Sequence, residues 1–340
     1  MRARRLRPPL GGAARAERDP FRFGGSRIKS PTLKPLLLPV AEQIGRIALR
    51  RRGVASRRVS TPRGVIHVYD ARGSGDLPTV VLLHGLGSAA TFFGPLIEQL
   101  RPDVRRVVAP DYPGHGFSEA GAAPLTPASL FEAVVCALDA LVREPIILVG
   151  TSLGGAVALH YALARPGQVR ALVLVSPAGA RASEEEWREI KRAFDVASRA
   201  DGRAFLQRLY ERPPWFLPLV AHEISSTLGR PAVRELLEAA NNDHLPPPEE
   251  LGALAMPVLL VWGKAERLLP ESHFEYFARH LPKHAVIERP AGFGHCPHVD
   301  APAELARRIV AFARAARADR TGRQQFVAAP GRPLDVAGDA

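Results

Sequence analysis

The chain has 340 residues, 46% hydrophobic and 24% charged, which is typical of a globular protein large enough for one domain with an insertion. Its two cysteines exclude a disulfide framework and a Cys/His metal cluster, so we expect a cytoplasmic protein without metal or cofactor. Residues 1–63 hold 17 Lys/Arg and 3 Asp/Glu, and they account for the net charge of +12; the remainder is close to neutral, which argues against nucleic-acid binding.

The first 56 residues form a basic extension. Residues 1–32 are rich in Gly, Pro and Arg without hydrophobic periodicity, and are predicted to be disordered. Residues 33–52 place apolar side chains at helical spacing and end in three arginines, which predicts an amphipathic basic helix. This helix either docks on the body or makes weak, peripheral contact with an anionic membrane surface, and the sequence leaves both open. No run of about 18 apolar residues predicts a transmembrane helix.

From residue 57 onward, short apolar runs alternate with helical patterns. Strands are predicted at 65–69, 79–83, 106–109, 146–149, 171–175, 258–261 and 285–288, and helices at 128–142, 156–164, 272–280 and 303–316. Runs such as TVVLL and ALVLV are apolar throughout, as strands buried on both faces require. The alternation predicts an α/β fold, a mostly parallel sheet flanked by helices, built from residues 57–179 and 256–317.

One segment interrupts this alternation. Residues 180–255 are rich in helix formers, with no strand of the body among them, and are predicted to form an inserted helical cap. Within the cap, Trp215 and Phe216 follow two prolines in a rigid apolar stretch. They either line a dry substrate pocket or attach the cap to the body. Residues 318–340 are predicted to form a disordered tail.

Residues 150–154 read GTSLG and match the pattern G-x-S-x-G between an apolar strand and a helix. A nucleophilic serine needs this context, because a tight turn lifts its hydroxyl above the sheet edge. The helix that follows also directs its N–H groups and positive dipole end at the reacting centre. Ser152 is therefore the predicted nucleophile.

A serine hydroxyl needs a base and the base needs a carboxylate. His295 lies in a glycine-rich loop between the last strand and the last helix, from which its imidazole can reach Ser152. The neighbouring His298 is the competitor, and its place at the approach to a helix favours a structural role. Glu266, just past the strand VLLVW, is predicted to orient the imidazole. Weaker candidates for this carboxylate are Asp300, Asp243 and Glu271.

The tetrahedral oxyanion needs two hydrogen-bond donors. The backbone N–H groups of Leu86, in the HGLGS segment after a strand, and of Leu153, after the nucleophile, are the predicted donors. Backbone donors leave both side chains free to line the pocket. His84 is predicted to fix the loop.

Together these motifs resemble the α/β-hydrolase superfamily, in its capped branch of serine esterases and related hydrolases. Over residues 60–317 the segments HGLGS, DYPGHGFS, GTSLGG, WGKAER and GHCPH occur in the family's order. The resemblance implies an eight-stranded-type sheet and a structural role for Asp111 in the second segment. The family usually has Asp where Glu266 stands, and the extra methylene shifts the loop geometry. The chain also lacks the GPG run of the C–C bond hydrolases.

The sequence thus predicts a lipase-like serine hydrolase that cleaves a carboxylic ester or thioester through an acyl-enzyme. Its partner is a small-molecule ester carrying an apolar acyl or aromatic group. Two other hypotheses stay open: an acyltransferase or C–C bond hydrolase that uses the same triad, and a non-catalytic scaffold.

Overall fold

This computed structural model describes residues 35–213 and 217–327. The predicted disordered residues 1–32 lie outside them. The strands are β1 (Val54–Thr61), β2 (Gly64–Arg72), β3 (Val80–Leu83), β4 (Arg106–Pro110), β5 (Ile146–Thr151), β6 (Val169–Val175), β7 (Val258–Val261) and β8 (Val286–Glu288). The helices are α1 (Leu37–Arg51), α2 (Gly94–Leu100), α3 (Pro127–Leu141), α4 (Leu153–Ala164), α5 (Glu184–Ala193), α6 (Arg199–Leu209), α7 (Leu217–Val220), α8 (Ile224–Leu228), α9 (Pro231–Ala239), α10 (Pro248–Gly252), α11 (Glu271–His280), α12 (Pro297–Asp300) and α13 (Pro302–Val327).

The strands form one eight-stranded sheet in the order β1-β2-β4-β3-β5-β6-β7-β8. From β4 to β8 all neighbours pair in parallel, and β2 pairs antiparallel with both β1 and β4. The carboxyl ends of β3, β5, β6, β7 and β8 therefore meet at one edge of the sheet. This confirms the predicted α/β class with a mostly parallel sheet.

The sheet core has two apolar layers, one on each face. In β3, Val80 and Leu82 belong to one layer, and Val81 and Leu83 to the other. Because side chains alternate along a strand and both faces are covered by helices, every position must be apolar. This explains why the central strands read as unbroken hydrophobic runs.

Strand β1 was not among the predicted strands, and the predicted extension of residues 1–56 overlaps it. Its sequence, VASRRVST, exposes Arg57 and Arg58 and buries only Val54. An edge strand with one solvated face lacks the continuous apolar signal of a central strand. The sheet therefore begins at Val54.

The last helix also corrects a predicted boundary. Helix α13 extends to Val327, so residues 318–327 continue the helix instead of starting the tail. The remaining predicted tail, 328–340, lies outside the described residues.

Between β6 and β7 the described residues form six helices, α5 to α10, and no strand. Ser183 and Ser198 begin α5 and α6, and each forms a capping box with the acidic residue three positions later. The buried faces of the cap helices share one apolar cluster, which also includes Leu268 after β7 and touches Leu86 after β3. The cap therefore packs over the edge where the parallel strands end.

The first turn of helix α1 is held by a residue of the cap. The buried carboxylate of Glu223 accepts hydrogen bonds from the backbone N–H groups of Leu36, Leu37 and Leu38 at 2.7–2.8 Å. The next residue, Pro39, has no N–H to satisfy, so the first turn is complete despite its proline. Burial raises the pKa of Glu223, but the three N–H groups outweigh it and hold the pKa below its ordinary value.

Candidate active site

Ser152 follows β5 directly and is the N-cap residue of α4, with φ of 54° and ψ of −122°. L residues rarely adopt this conformation, which costs about 1–3 kcal/mol. The strand and helix meet so closely that a Cβ at Gly150 would lie 2.2 Å from the Gly154 carbonyl oxygen. A Cβ at Gly154 would lie 2.1 Å from that of Leu83. The flanking glycines thus allow the tight turn that the G-x-S-x-G pattern predicts.

His295 and Glu266 form a buried pair. Nδ1 of His295 lies 2.8 Å from Oε2 of Glu266, and the two side chains are 2% and 3% exposed. Because Nδ1 donates to the carboxylate, Nε2 is the nitrogen left to accept a proton. The pair joins the loop after β8 to the turn after β7, 29 residues apart.

The second carboxylate oxygen of Glu266 binds its own turn. Oε1 accepts hydrogen bonds from the N–H groups of Leu268 at 2.8 Å and Leu269 at 3.0 Å. Burial raises the pKa of Glu266, but the charge and hydrogen bond of His295 and the Leu269 N–H outweigh it and lower the pKa to about 2. The carboxylate is therefore charged at neutral pH, as an orienting group must be.

His298, the competing base, has no carboxylate partner among the described residues. It is buried against Phe93, with ring centroids 4.8 Å apart, and its Nδ1 makes no hydrogen bond there. Burial lowers the pKa of His298 to about 3. Burial also raises the pKa of the nearby Cys296 thiol well above its ordinary value, so this thiol stays protonated and is a poor nucleophile.

The three weaker carboxylate candidates are either bonded to other groups or exposed to solvent. Asp300 accepts a hydrogen bond from a cap backbone N–H at 2.8 Å. Glu271 pairs with Arg289 at 2.7 Å, and Asp243 is exposed at the start of a short turn. Among the described residues, Glu266 is the carboxylate that contacts His295.

The HGLGS loop lies beside the serine. A Cβ on Gly85 would be 3.7 Å from Ser152 Oγ, so the backbone at this position runs along the serine side chain. Leu86 follows it, and Leu86 and Leu153 line the same cavity as Ser152. That their N–H groups bind an oxyanion stays a prediction.

His84 holds this loop in place. Its Nδ1 donates to the Gly85 carbonyl at 2.8 Å, and its Nε2 accepts from the Tyr112 N–H at 3.2 Å. Burial lowers the pKa of His84, which keeps the ring neutral and suited to both bonds. Nearby, Asp111 accepts hydrogen bonds from His67 and from the backbone N–H groups of Ala90 and Phe117. Both residues thus serve the loop structure.

Two cavities meet at Ser152, and Leu86 and Phe194 also line both. The larger has a volume of about 500 Å³ and is lined mainly by apolar side chains of α3, α4, the cap and the turn after β7. The smaller has about 100 Å³ and contains His295, together with Leu38 and Glu42 of α1. Ser152 therefore stands between a large apolar cavity and a small one that is lined by His295.

The larger cavity extends along α4. Its lining includes His160, eight residues after Ser152, which is about 12 Å along a helix. His160 Nε2 bonds the His244 carbonyl at 2.7 Å, so the cap loop with His244 and Leu245 lies at this far end. Sequence reasoning missed that loop and Phe131 of α3, because nothing local shows which apolar side chains face a cavity.

The predicted pocket residues Trp215 and Phe216 lie outside the described residues. Among the residues that the structure describes, the large cavity is lined by the aromatic side chains of Phe131, Trp187 and Phe194. Sequence reasoning also missed Ser176, at the end of β6, which has a positive φ of 39°. Its hydroxyl is buried and faces Glu266, where it contributes to the lowered pKa of that carboxylate.

Among the residues with described structure, no cluster of His, Cys, Asp or Glu is arranged to hold a metal ion. None of the described helices combines the length and the apolar character needed to cross a bilayer.

Comparisons with known proteins agree with the fold. A family model described as alpha/beta hydrolase fold matches residues 78–302. A pimeloyl-[acyl-carrier protein] methyl ester esterase of Xanthomonas axonopodis pv. citri is 31% identical over 258 residues, covering 69% of this chain and 95% of that protein. The esterase of the same name from Xylella fastidiosa (strain M12) is 29% identical, covering 65% of this chain and 89% of that protein.

Two solved structures are similar over most of the chain. One is a membrane phospholipase A described as a bacterial virulence factor, with a TM-score of 0.69, 26% identity and coverage of 83% of this chain and 96% of that one. The other is a carboxylesterase from Bacillus subtilis, with a TM-score of 0.65, 23% identity and coverage of 82% and 98%. At 23% identity, the similarity to the Bacillus subtilis carboxylesterase concerns the fold alone.

Proposed function

The chain belongs to the alpha/beta hydrolase fold family and is a hydrolase, and from this premise we propose that it is a serine esterase. Ser152 is the proposed nucleophile, His295 the base and Glu266 the orienting carboxylate. Leu86 and Leu153 are the proposed oxyanion donors. The proposal extends to carboxylic esters or thioesters with an apolar acyl or aromatic group, cleaved through an acyl-enzyme.

One observation carries the proposal. The buried His295–Glu266 hydrogen bond of 2.8 Å leaves Nε2 free to accept a proton, and His295 lines the same small cavity as Ser152. The strained turn that presents Ser152 supports the assignment, because such strain is kept where function requires it. A scaffold protein has no need of either feature.

The chemistry follows from these positions. His295 takes the hydroxyl proton as Ser152 Oγ bonds to the substrate carbonyl carbon, and the carbonyl oxygen becomes an oxyanion held by the two backbone N–H groups. When this intermediate collapses, the carbon–oxygen bond to the alcohol breaks and His295 returns the proton to the leaving alkoxide. Water then attacks the acyl-enzyme in the same way and releases the acid.

The cavities indicate which part of the ester goes where. The small cavity contains His295, the group that protonates the leaving alcohol, so the alcohol belongs there. The acyl group then occupies the larger apolar cavity, which extends about 12 Å along α4. An ester of a medium-length acyl chain with a small alcohol fits this division. The methyl ester named for the Xanthomonas relative has a small alcohol of this kind.

A second candidate substrate is a lipid ester. The apolar lining of the large cavity suits a fatty acyl chain, and one similar structure is a membrane phospholipase A. Acyl transfer and C–C bond hydrolysis remain other uses of the same triad. Product analysis with an added alcohol acceptor separates transfer from hydrolysis.

The test is a panel of p-nitrophenyl esters of rising acyl length together with fluorophosphonate labelling. We expect wild-type turnover that peaks at medium length, and we expect Ser152→Ala to lose both labelling and turnover by about 10⁴-fold or more. Ser225→Ala, which alters a half-buried serine of cap helix α8 that lines neither cavity, is the matched control and should keep both. A folded wild-type chain that is not labelled would favour the scaffold hypothesis.

A further inference from the structure

Helix α1 carries an apolar stripe on its outer face. Leu36, Leu37, Val40, Ile44 and Ile47 are 45–67% exposed, and they include most of the strongly exposed large hydrophobic residues of the described chain. From Leu37 onward, their spacing of three to four residues places them along one side of the helix, and Leu36 precedes its first turn. A contiguous exposed apolar surface of this kind marks an interaction site more often than isolated residues do.

The opposite face of α1 is fixed to the body. Leu49 is buried against Gly94, and Gly45 lies so close to Thr91 that a Cβ there would be 2.6 Å from its methyl group. At the helix start, Glu223 holds the first three N–H groups. With one face packed and its start capped, the helix cannot rotate to bury the stripe.

The charge around the stripe is positive. Arg50, Arg51 and Arg52 are exposed at the end of α1, and none of them forms an ion pair with another described residue. Residues 1–34, which precede the helix, contain 10 Lys/Arg and 2 Asp/Glu by sequence. An apolar stripe with basic residues at both ends is the composition of an interfacial helix on an anionic bilayer.

The size of the stripe argues against a second protein chain as its occupant. Five residues over about 16 Å of helix are far fewer than the 20–30 residues per side of a stable interface. The side chains are aliphatic, whereas protein interfaces concentrate aromatic residues at their core. A lipid surface requires neither a large area nor shape complementarity.

We propose that the outer face of α1 docks the enzyme on an anionic bilayer. The same helix supplies Leu38 and Glu42 to the small cavity that holds Ser152 and His295, so docking brings the reaction site close to the lipid surface. An ester dissolved in the bilayer then reaches the site without crossing water; this consequence rests on the proposed esterase function.

The docking test is flotation of the full chain with vesicles, in a Ser152→Ala background that cannot hydrolyse lipid. We expect it to float with phosphatidylcholine vesicles containing phosphatidylglycerol and much less with pure phosphatidylcholine. Ile44→Gln/Ile47→Gln keeps the net charge and the helix propensity, and should weaken partitioning about tenfold or more. The control variant Val286→Thr/Ile287→Thr removes exposed apolar surface on β8 and should leave flotation unchanged.

Equal flotation of the Ile44/Ile47 variant and its parent would overturn the proposal, because the basic segment alone would then suffice. Absence of flotation for the parent, or a dimer in sedimentation equilibrium that this variant abolishes, would overturn it as well. Hydrolysis of water-soluble p-nitrophenyl acetate by the variants with Ser152 intact is a separate readout. It should be unchanged in Ile44→Gln/Ile47→Gln, and its absence in the wild type would refute the esterase function without affecting docking.

Discussion

The Glu266 carboxylate binds His295 with one oxygen and the backbone of its own turn with the other. The distances are 2.8 Å to His295 Nδ1 and 2.8 and 3.0 Å to the N–H groups of Leu268 and Leu269. The extra methylene of glutamate lets the side chain fold back over its turn while it still reaches the histidine. Glutamate in place of the family's usual aspartate is thus compatible with a well-oriented imidazole.

Replacing Glu266 by Gln should lower kcat about 10³- to 10⁴-fold, because the amide cannot stabilise the imidazolium and favours the wrong tautomer. KM for a p-nitrophenyl ester should change little, since Glu266 does not line either cavity beside the acyl chain. Steady-state kinetics checks both values. Glu271→Gln, at the surface ion pair with Arg289, is the control; equal losses in the two variants would contradict the assignment.

The hydrogen-bonded pair of Glu266 and His295 should also make the free energy of unfolding decrease as the solution becomes acidic. The folded pKa of about 2 lies below the ordinary 4.5, so its contribution is complete above pH 4.5 and is lost as the pH falls toward about 2. The difference in free energy of unfolding between wild type and Glu266→Gln should therefore shrink in acid. Urea unfolding across the acid range measures it, and a gap that widens there would be inconsistent with a charged carboxylate.

Two glycine-to-alanine changes should have opposite outcomes. Gly154→Ala places a Cβ 2.1 Å from the Leu83 carbonyl oxygen, so we expect destabilisation above about 4 kcal/mol or no soluble protein. Gly167→Ala meets nothing within 4 Å in an exposed turn, and should be neutral or stabilise by up to about 1 kcal/mol. Thermal unfolding compares them, and a stable Gly154→Ala enzyme would mean that the turn is looser than the structure has it.

Leu245→Trp should shorten the acyl pocket at its far end. Leu245 lines the large cavity beside His244, which contacts α4 about 12 Å from Ser152. The ratio of kcat/KM for an octanoate over an acetate ester should fall about tenfold or more, with acetate turnover kept. Leu219→Trp, at an exposed position of cap helix α7, provides the matched control. An unchanged ratio would place the acyl chain elsewhere.

Glu223→Gln should loosen the start of α1, because charge-assisted hydrogen bonds to three N–H groups lose their strength. Amide hydrogen exchange of residues 36–38 should accelerate about tenfold or more, while exchange in the central strands is unchanged. Glu249→Gln, at the exposed start of α10, is the comparison. If the 36–38 amides keep their protection, Glu223 does not hold the helix.

The sequence by itself determined the parts of this protein that depend on local sterics and local hydrophobicity. The turn around Ser152 was predictable because only glycine at positions 150 and 154 lets a strand and a helix meet so closely. The central strands were predictable because burial on both faces demands unbroken apolar runs. The class of fold and the three positions of the proposed triad follow from these signals and their order.

Tertiary structure decided what depends on distant partners. His295 is distinguished from His298 by its contact with Glu266, 29 residues away, and helix α1 begins on Glu223, 187 residues from Leu36. Pairing with β2 makes residues 54–61 an edge strand, and the position of the cap over α4 places the loop beside Leu245 in the cavity wall. Such contacts cannot be predicted from the local sequence, because the local sequence shows only whether a side chain is apolar, polar or charged. The fold of the whole chain determines which distant residue that side chain contacts.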